Sequence, residues 1–204
     1  KEAVLSMIAV YLGIHIISAA GIAAAPPYEE HPWYYRWHHA DYLTEVNEML
    51  YVRWQTDARY FLPSTQCQAM RKIGRISWNE FKYIVHYTAP PTPNQIEVFV
   101  TTLTTSKTMS HPTANAVIYQ TTEDGAFRLY KVLFADRRRR CFILVFVERI
   151  GIRACRLLQA SSTVDQLVPR RCQDIYEEHC PGATVEIYNH RCRQLLGQIV
   201  VPRG

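Results

Sequence analysis

Apolar and polar residues alternate through most of the chain beyond residue 50. In one run Phe81, Tyr83, Val85 and Tyr87 share one side of a two-residue period, with Lys82, His86 and Thr88 opposite, as in a strand with one buried face. Comparable runs occur at Leu50–Thr56, Cys67–Ile76, Glu80–Ala89, Gln95–Thr105, Asn115–Thr122, Ala126–Ala135, Cys141–Glu148 and Ile152–Gln159. Turn-forming clusters separate them, among them Pro90-Pro91-Thr92-Pro93-Asn94, Ser110-His111-Pro112 and Glu123-Asp124-Gly125. Short strands with short connections and no helices between them predict an all-β antiparallel sandwich or barrel. Eight strands make an up-and-down barrel wide enough for one small ligand.

Two segments have helical spacing. ADYLTEVNEML places Leu43, Val46, Met49 and Leu50 on one face, with Asp41 able to cap. This predicts a short N-terminal helix that plugs or flanks the core. VPRRCQDIYEEHCPG predicts a C-terminal helix opened by Val168-Pro169, ended by Pro181-Gly182, and turned inward at Ile175 and Tyr176. The tail, TVEIYNHRCRQLLGQ, adds a short strand and the last cysteine.

Composition narrows the class. Of 204 residues 48% are hydrophobic, enough for a sizeable core, and 13 are tyrosine, which favours strands. A net charge of +5 is modest for a nucleic-acid domain. Residues 3–17 are apolar and lead into Ser18-Ala19-Ala20 and Ala23-Ala24-Ala25. That order predicts a signal peptide over residues 1–25, cut between about 20 and 25, rather than a membrane anchor. The rest, residues 26–204, then forms one domain that is secreted, free of the membrane and monomeric. PPYEEHPWYYRWHHA follows as an aromatic arm, either a recognition surface or a strap across the closed end of the barrel.

The six cysteines, Cys67, Cys141, Cys155, Cys172, Cys180 and Cys192, are even in number and on a secretory route, so disulfides are expected. Spacing leaves their connectivity open. His179, Cys180, His190 and Cys192 fit no zinc pattern. No metal, cofactor or catalytic residue is expected, and no nucleophile–base motif points to an enzyme.

The order of signal, helix, eight strands, Val-Pro-x-x-Cys helix and terminal Tyr-x-x-x-Cys resembles the salivary lipocalins of ticks, the histamine-binding protein family. The resemblance rests on YVRWQT, Cys67, LYKVLFADRRRRCFILVF, Cys155, VPRRCQDIYEEHC and YNHRC. It implies a lipocalin barrel, and the pairs Cys67–Cys192, Cys141–Cys172 and Cys155–Cys180. It also implies sequestration of a small host mediator, countering inflammatory defence, with a host protein such as a complement component as the alternative partner.

Amine binders of this family carry Cys-Asp-aliphatic, then Glu-Leu-aromatic, then Cys. Here Phe142 stands in the place of the Asp and Arg156 in the place of the Glu. A buried ammonium needs a carboxylate, so the substitution argues against the usual amine site. An anionic lipid such as a leukotriene or fatty acid would instead use Arg156, Arg128 or Arg53. Trp54, Tyr83, Tyr87, Glu97, Phe99 and Arg156 are the candidate ligand-binding residues. Glu97 alternates with Phe99 and Leu103, but Ile96, Val98 and Val100 make the cleaner apolar face, which would turn Glu97 outward. The run Arg137–Arg140 is expected to be a solvated hairpin turn, open to acidic partners.

Overall fold

The computed structural model describes residues 25–58, 65–88, 95–109, 111–148 and 151–197; the expected signal segment falls outside them save for Ala25. Eight strands follow in order: β1 Leu50–Thr56, β2 Ala69–Arg75, β3 Glu80–Thr88, β4 Ile96–Ser106, β5 Ala116–Tyr119, β6 Arg128–Asp136, β7 Cys141–Val147 and β8 Arg153–Ala160. Each pairs antiparallel with the next, and β8 and β2 both pair with β1, which closes the barrel. The predicted strands fall within about two residues of these bounds, except β5, which is shorter.

The N-terminal helix, α1 Ala40–Thr44, is shorter than its periodicity suggests. Its apolar positions still serve one purpose: Ala40, Leu43 and Val46 are buried in the barrel core with Phe81, Leu103 and Ala135. Ala40 donates to the Ala114 carbonyl at 2.9 Å, and Lys72 donates to that of Thr44. This plug closes one end of the barrel.

The arm does not cross the closed end. It forms two 3-10 helices, Tyr28–Glu30 and Pro32–Trp37, that lie on the outer face of β6. Glu29, 1% exposed, meets Arg153 through two hydrogen bonds of 2.7 and 3.0 Å. Glu30 meets Lys131 at 2.6 Å, the Thr108 hydroxyl at 3.0 Å and His111 at 3.3 Å. Burial, the largest single effect, would raise the Glu29 carboxyl, but the Arg153 hydrogen bonds, a backbone hydrogen bond and the charges of Arg153 and Lys131 together outweigh it and hold it below its ordinary value. Sequence periodicity carries no trace of these pairs, because both partners read as surface charges.

The C-terminal helix, α2 Arg170–His179, packs Cys172, Ile175 and Tyr176 on the outer face of β6–β8, against Phe134, Ile143 and Leu157. Beyond it, β9 Thr184–Glu186 pairs with Trp54–Thr56 of β1, on the edge whose other half pairs with β2. The tail then forms α3 His190–Gly197, a helix the sequence reading did not include. The disulfides are Cys67–Cys192, Cys141–Cys172 and Cys155–Cys180, the pairs implied by the family resemblance.

Two buried histidines make the fold acid-sensitive. His86 is 1% exposed and neither ring nitrogen has a partner among the described residues. Burial, and then Arg71, push its pKa down to about 4. His38 is pushed down to about 3 by burial and by His111, whose ring nitrogen lies 3.1 Å away. Unfolded, each would take up a proton near its ordinary value of about 6.5. As pH falls, the unfolded state therefore protonates first, and stability declines from about pH 6.5 toward pH 4. His86→Leu is expected to reduce the stability lost between pH 7 and 4.5 by about 2 kcal/mol, read from urea midpoints. An unaltered pH profile would show that His86 is not the sensitive group.

Candidate ligand-binding cup

The inward positions of the barrel are set by alternation, interrupted at three bulges, one of them between Lys72 and Gly74 in β2. On β3 and β4 the period runs clean: Tyr83, Val85, Phe99 and Leu103 belong to the interior cluster, with Tyr87 packed against it. Val98 and Val100 are 39% and 53% exposed. The face carrying Glu97 is thus the inner one, contrary to the outward orientation favoured from the apolar pattern. Glu97 stands at the mouth, paired in register with Tyr87 and accepting a hydrogen bond from Gln95 at 3.1 Å. Tyr87 and Phe99 meet edge to face, their centroids 6.2 Å apart.

Trp54 is not in the cup. By simple alternation it would follow Leu50 and Val52 inward. A bulge between Val52 and Trp54 reverses the parity of β1. Trp54 turns out onto Tyr176 of α2, 5.7 Å between centroids, and Gln55, in register with Arg156, takes the inward place. A second bulge, between Val132 and Phe134 in β6, turns Phe134 outward onto Trp37 at 5.3 Å. Arg53 also lies outside, over the Tyr188 ring at 5.6 Å.

Arg156 stands inside. On β8 it alternates with Ala154, Leu158 and Ala160, all interior, and it is 2% exposed. Its guanidinium is hydrogen-bonded to the Tyr119 hydroxyl. Its Nε and one Nη have no partner among the described residues, and neither does the hydroxyl of Tyr83, while the Tyr130 hydroxyl interacts with Thr121. Tyr119 and Tyr130 are 5.0 Å apart between centroids. Burial raises the pKa of all three tyrosines, Tyr130 to about 12, so each stays a neutral O–H donor at physiological pH.

Val52, Gln68, Met70, Val85, Thr121 and Leu158 line a small cavity beside Arg156 and Tyr119, with room for about one water molecule. At the mouth the Arg128 guanidinium lies 5.1 Å from the Phe146 ring centroid. Among the described residues no strand places a carboxylate on the inner face below Glu97. Lys72, opposite Tyr83, is committed to the Thr44 carbonyl of the plug, so among the described residues the interior offers one deeply buried cation, Arg156, and several hydroxyl donors around an apolar space. Gln55, Tyr119 and Tyr130 were not singled out from the sequence. The alternation Val117, Tyr119 and Tyr130, Val132 was the available signal, but it does not say which face is the inner one.

An eight-stranded closed antiparallel barrel, plugged at one end and flanked by a C-terminal helix, is a lipocalin. A family profile described as "Tick histamine binding protein" matches residues 35–194. The chain belongs to the tick histamine-binding protein family. Among solved structures it is similar to Japanin from Rhipicephalus appendiculatus bound to cholesterol, with a TM-score of 0.57 and 15% identity over 72% of this chain and 96% of that one. It is also similar to the siderocalin Ex-FABP, described as having dual ligand specificities, with a TM-score of 0.47 and 15% identity over 72% and 95% of the two chains. No curated protein sequence matches the chain at a significant level. The family and these neighbours are ligand-binding proteins.

None of the four tryptophans faces the cup. Trp33 and Trp78 are 81% and 79% exposed, and Trp37 and Trp54 pack into the cluster beneath α2. A ligand in the barrel is therefore expected to perturb tyrosine absorption and leave tryptophan emission nearly unchanged. A marked shift of tryptophan emission at saturation would place the ligand elsewhere.

Proposed function

We propose that this lipocalin is secreted and sequesters a small amphiphilic acid, with an apolar body in the barrel and its carboxylate on Arg156. The observation that carries this reading is the guanidinium itself: 2% exposed, with two nitrogens unpartnered and no facing carboxylate on the described inner strand positions. An unpaired buried cation is costly, and a carboxylate accepting from its planar fork relieves that cost. The hydroxyls of Tyr83 and Tyr130 supply further donors. A fatty acid or leukotriene has the required chemistry. The cholesterol of Japanin is a precedent for an apolar ligand in this fold. Entry of any such body displaces interior side chains, of which Met70 is the most adaptable.

An ammonium ligand such as histamine would meet Arg156 where it needs an acid. Secretion is supported by three disulfides, and a role in blunting host mediators by the family. Calorimetric titration with arachidonate, a leukotriene, histamine and serotonin tests the reading. Saturable binding of the acids and none of the amines is expected; stoichiometric histamine binding without acid binding would overturn it.

A further inference from the structure

The run Arg137–Arg140 is not an isolated turn. Asp136 accepts from the backbone N–H groups of Arg138 and Arg139, both at 3.0 Å, which sets the hairpin, and Ala160 donates to the Arg140 carbonyl at 3.2 Å. The next residue, Cys141, is bridged to Cys172 in the first turn of α2, with Cα atoms 6.5 Å apart. That bridge ties the start of α2, with Arg170 and Arg171 just ahead of Cys172, to the strand that leaves the hairpin. Arg171 lies over the Trp37 ring at 4.1 Å, approached also by Arg36 at 5.2 Å. The α2 start has no acidic residue in its first turn and no side-chain cap, so its N–H groups add to the positive field.

Acids meet only part of this edge: Glu48, held by Ser161 and Ser162, interacts with Arg140. Arg137 meets Glu45 at 2.7 Å, and Arg170 lies 3.9 Å from Asp174. The exposed side chains of Arg138 and Arg139 have no ion-pair partner among the described residues. The edge is also rigid, since a disulfide, a side-chain-capped turn and the barrel wall hold its backbone.

We infer that this arginine edge, formed where the β6–β7 hairpin meets the start of α2, is a binding surface for a sulfated polysaccharide. Arginine suits sulfate because its planar fork donates two parallel hydrogen bonds to one anionic group. An anionic membrane fits less well. Membrane-surface binding scales with the apolar area inserted, and near this edge the exposed large apolar residues are two single side chains, Leu167 ahead of α2 and Trp33 on the arm. Ile76, Trp78, Val98 and Val100, also exposed, lie on β2–β4 and their hairpin, across the barrel from β6–β7. The surface is separate from the cup, and the inference is independent of what the cup holds.

Heparin is the probe. The full chain is expected to be retained on immobilised heparin at neutral pH and physiological salt. The variant R138Q/R139Q/R170Q is expected to bind heparin roughly tenfold more weakly or worse. Lys82→Gln removes a charge from the exposed outer face of β3, on the other side of the barrel, and is expected to bind nearly as well as the parent. All four side chains are exposed, and unchanged thermal midpoints confirm intact folds. Equal losses per charge in the two variants would reduce the effect to net charge and overturn the inference. So would retention of the triple variant, or binding to phosphatidylserine vesicles in place of heparin.

Discussion

Replacing Arg156 with leucine is expected to stabilise the protein while abolishing its affinity for a carboxylate ligand. The two effects have one cause. In the folded chain the guanidinium is almost fully buried, and two of its nitrogens lack partners. Removing it leaves no carboxylate stranded, since none faces it on the described inner strand positions. Exchange of a buried ionic group for an apolar one of similar reach stabilises by about 1–3 kcal/mol. Leucine is compatible with the neighbours, because Val52, Met70 and Leu158 share the wall. For a bound acid the same change removes two charge-assisted hydrogen bonds, and affinity falls by roughly a hundredfold or more. Arg156→Lys keeps the charge but loses the fork, and is expected to fall between the two. Thermal unfolding and calorimetric titration of the same preparations read both effects. Unchanged acid affinity, or destabilisation in place of stabilisation, would make Arg156 a structural residue. This is also the position at which the family's amine motif carries Glu, so the substitution that argues against histamine is the one that supports an acid.

Loss of the Cys67–Cys192 disulfide is expected to be the most damaging single covalent change. It spans 125 residues, against 31 for Cys141–Cys172 and 25 for Cys155–Cys180. In the chain-entropy account a longer closed loop restricts the unfolded chain more, and the difference here is about 1 kcal/mol. The bond also holds together a separate cluster of Tyr51, Ala69, Val164, Tyr188 and Leu196, which joins α3 to the barrel wall. C67A/C192A is therefore expected to lose about 2–5 kcal/mol, a fall in Tm of roughly 5–20 °C for a domain of this size. The effect should reach the cup, because Gln68 and Ala69, directly after Cys67, line its cavity. Weaker ligand binding and early proteolytic release of the C-terminal segment are expected together. A loss smaller than that of C155A/C180A would show that strain or residual structure, not loop length, sets the ranking.

The barrel stands or falls on the cup and the tail together. β9 completes the edge of β1 that β2 leaves uncovered, and α2 seals the outer face of β6–β8. The acid-sensitive arm adds a third external brace through Glu29 and Arg153. The interior, by contrast, contains hydroxyls and a deeply buried guanidinium, Arg156, that contribute little to the unliganded fold. That contrast is what a binding site with a cost in stability looks like.

What this chain's sequence determined by itself was the run of eight barrel strands, a short helix ahead of them that plugs or flanks the core, and the C-terminal helix after them. Those follow from local periods of two and of about 3.6 residues, and from turn chemistry, all of which act over short stretches. With the family resemblance it also implied the three disulfides. Only the tertiary structure decided which face of each strand lines the cup. A single inserted residue, as at the bulge beside Trp54, exchanges inside for outside along the rest of a strand, and no local pattern announces it. Only the tertiary structure, too, paired Glu29 with Arg153 and carried the start of α2 to the strand that follows the Arg137–Arg140 turn. Charge pairing across more than 100 residues depends on packing, and leaves no periodic trace in the sequence. Arg156 belongs to both accounts: its identity set it apart from the family's amine binders, and burial made it the cation of an apolar cup.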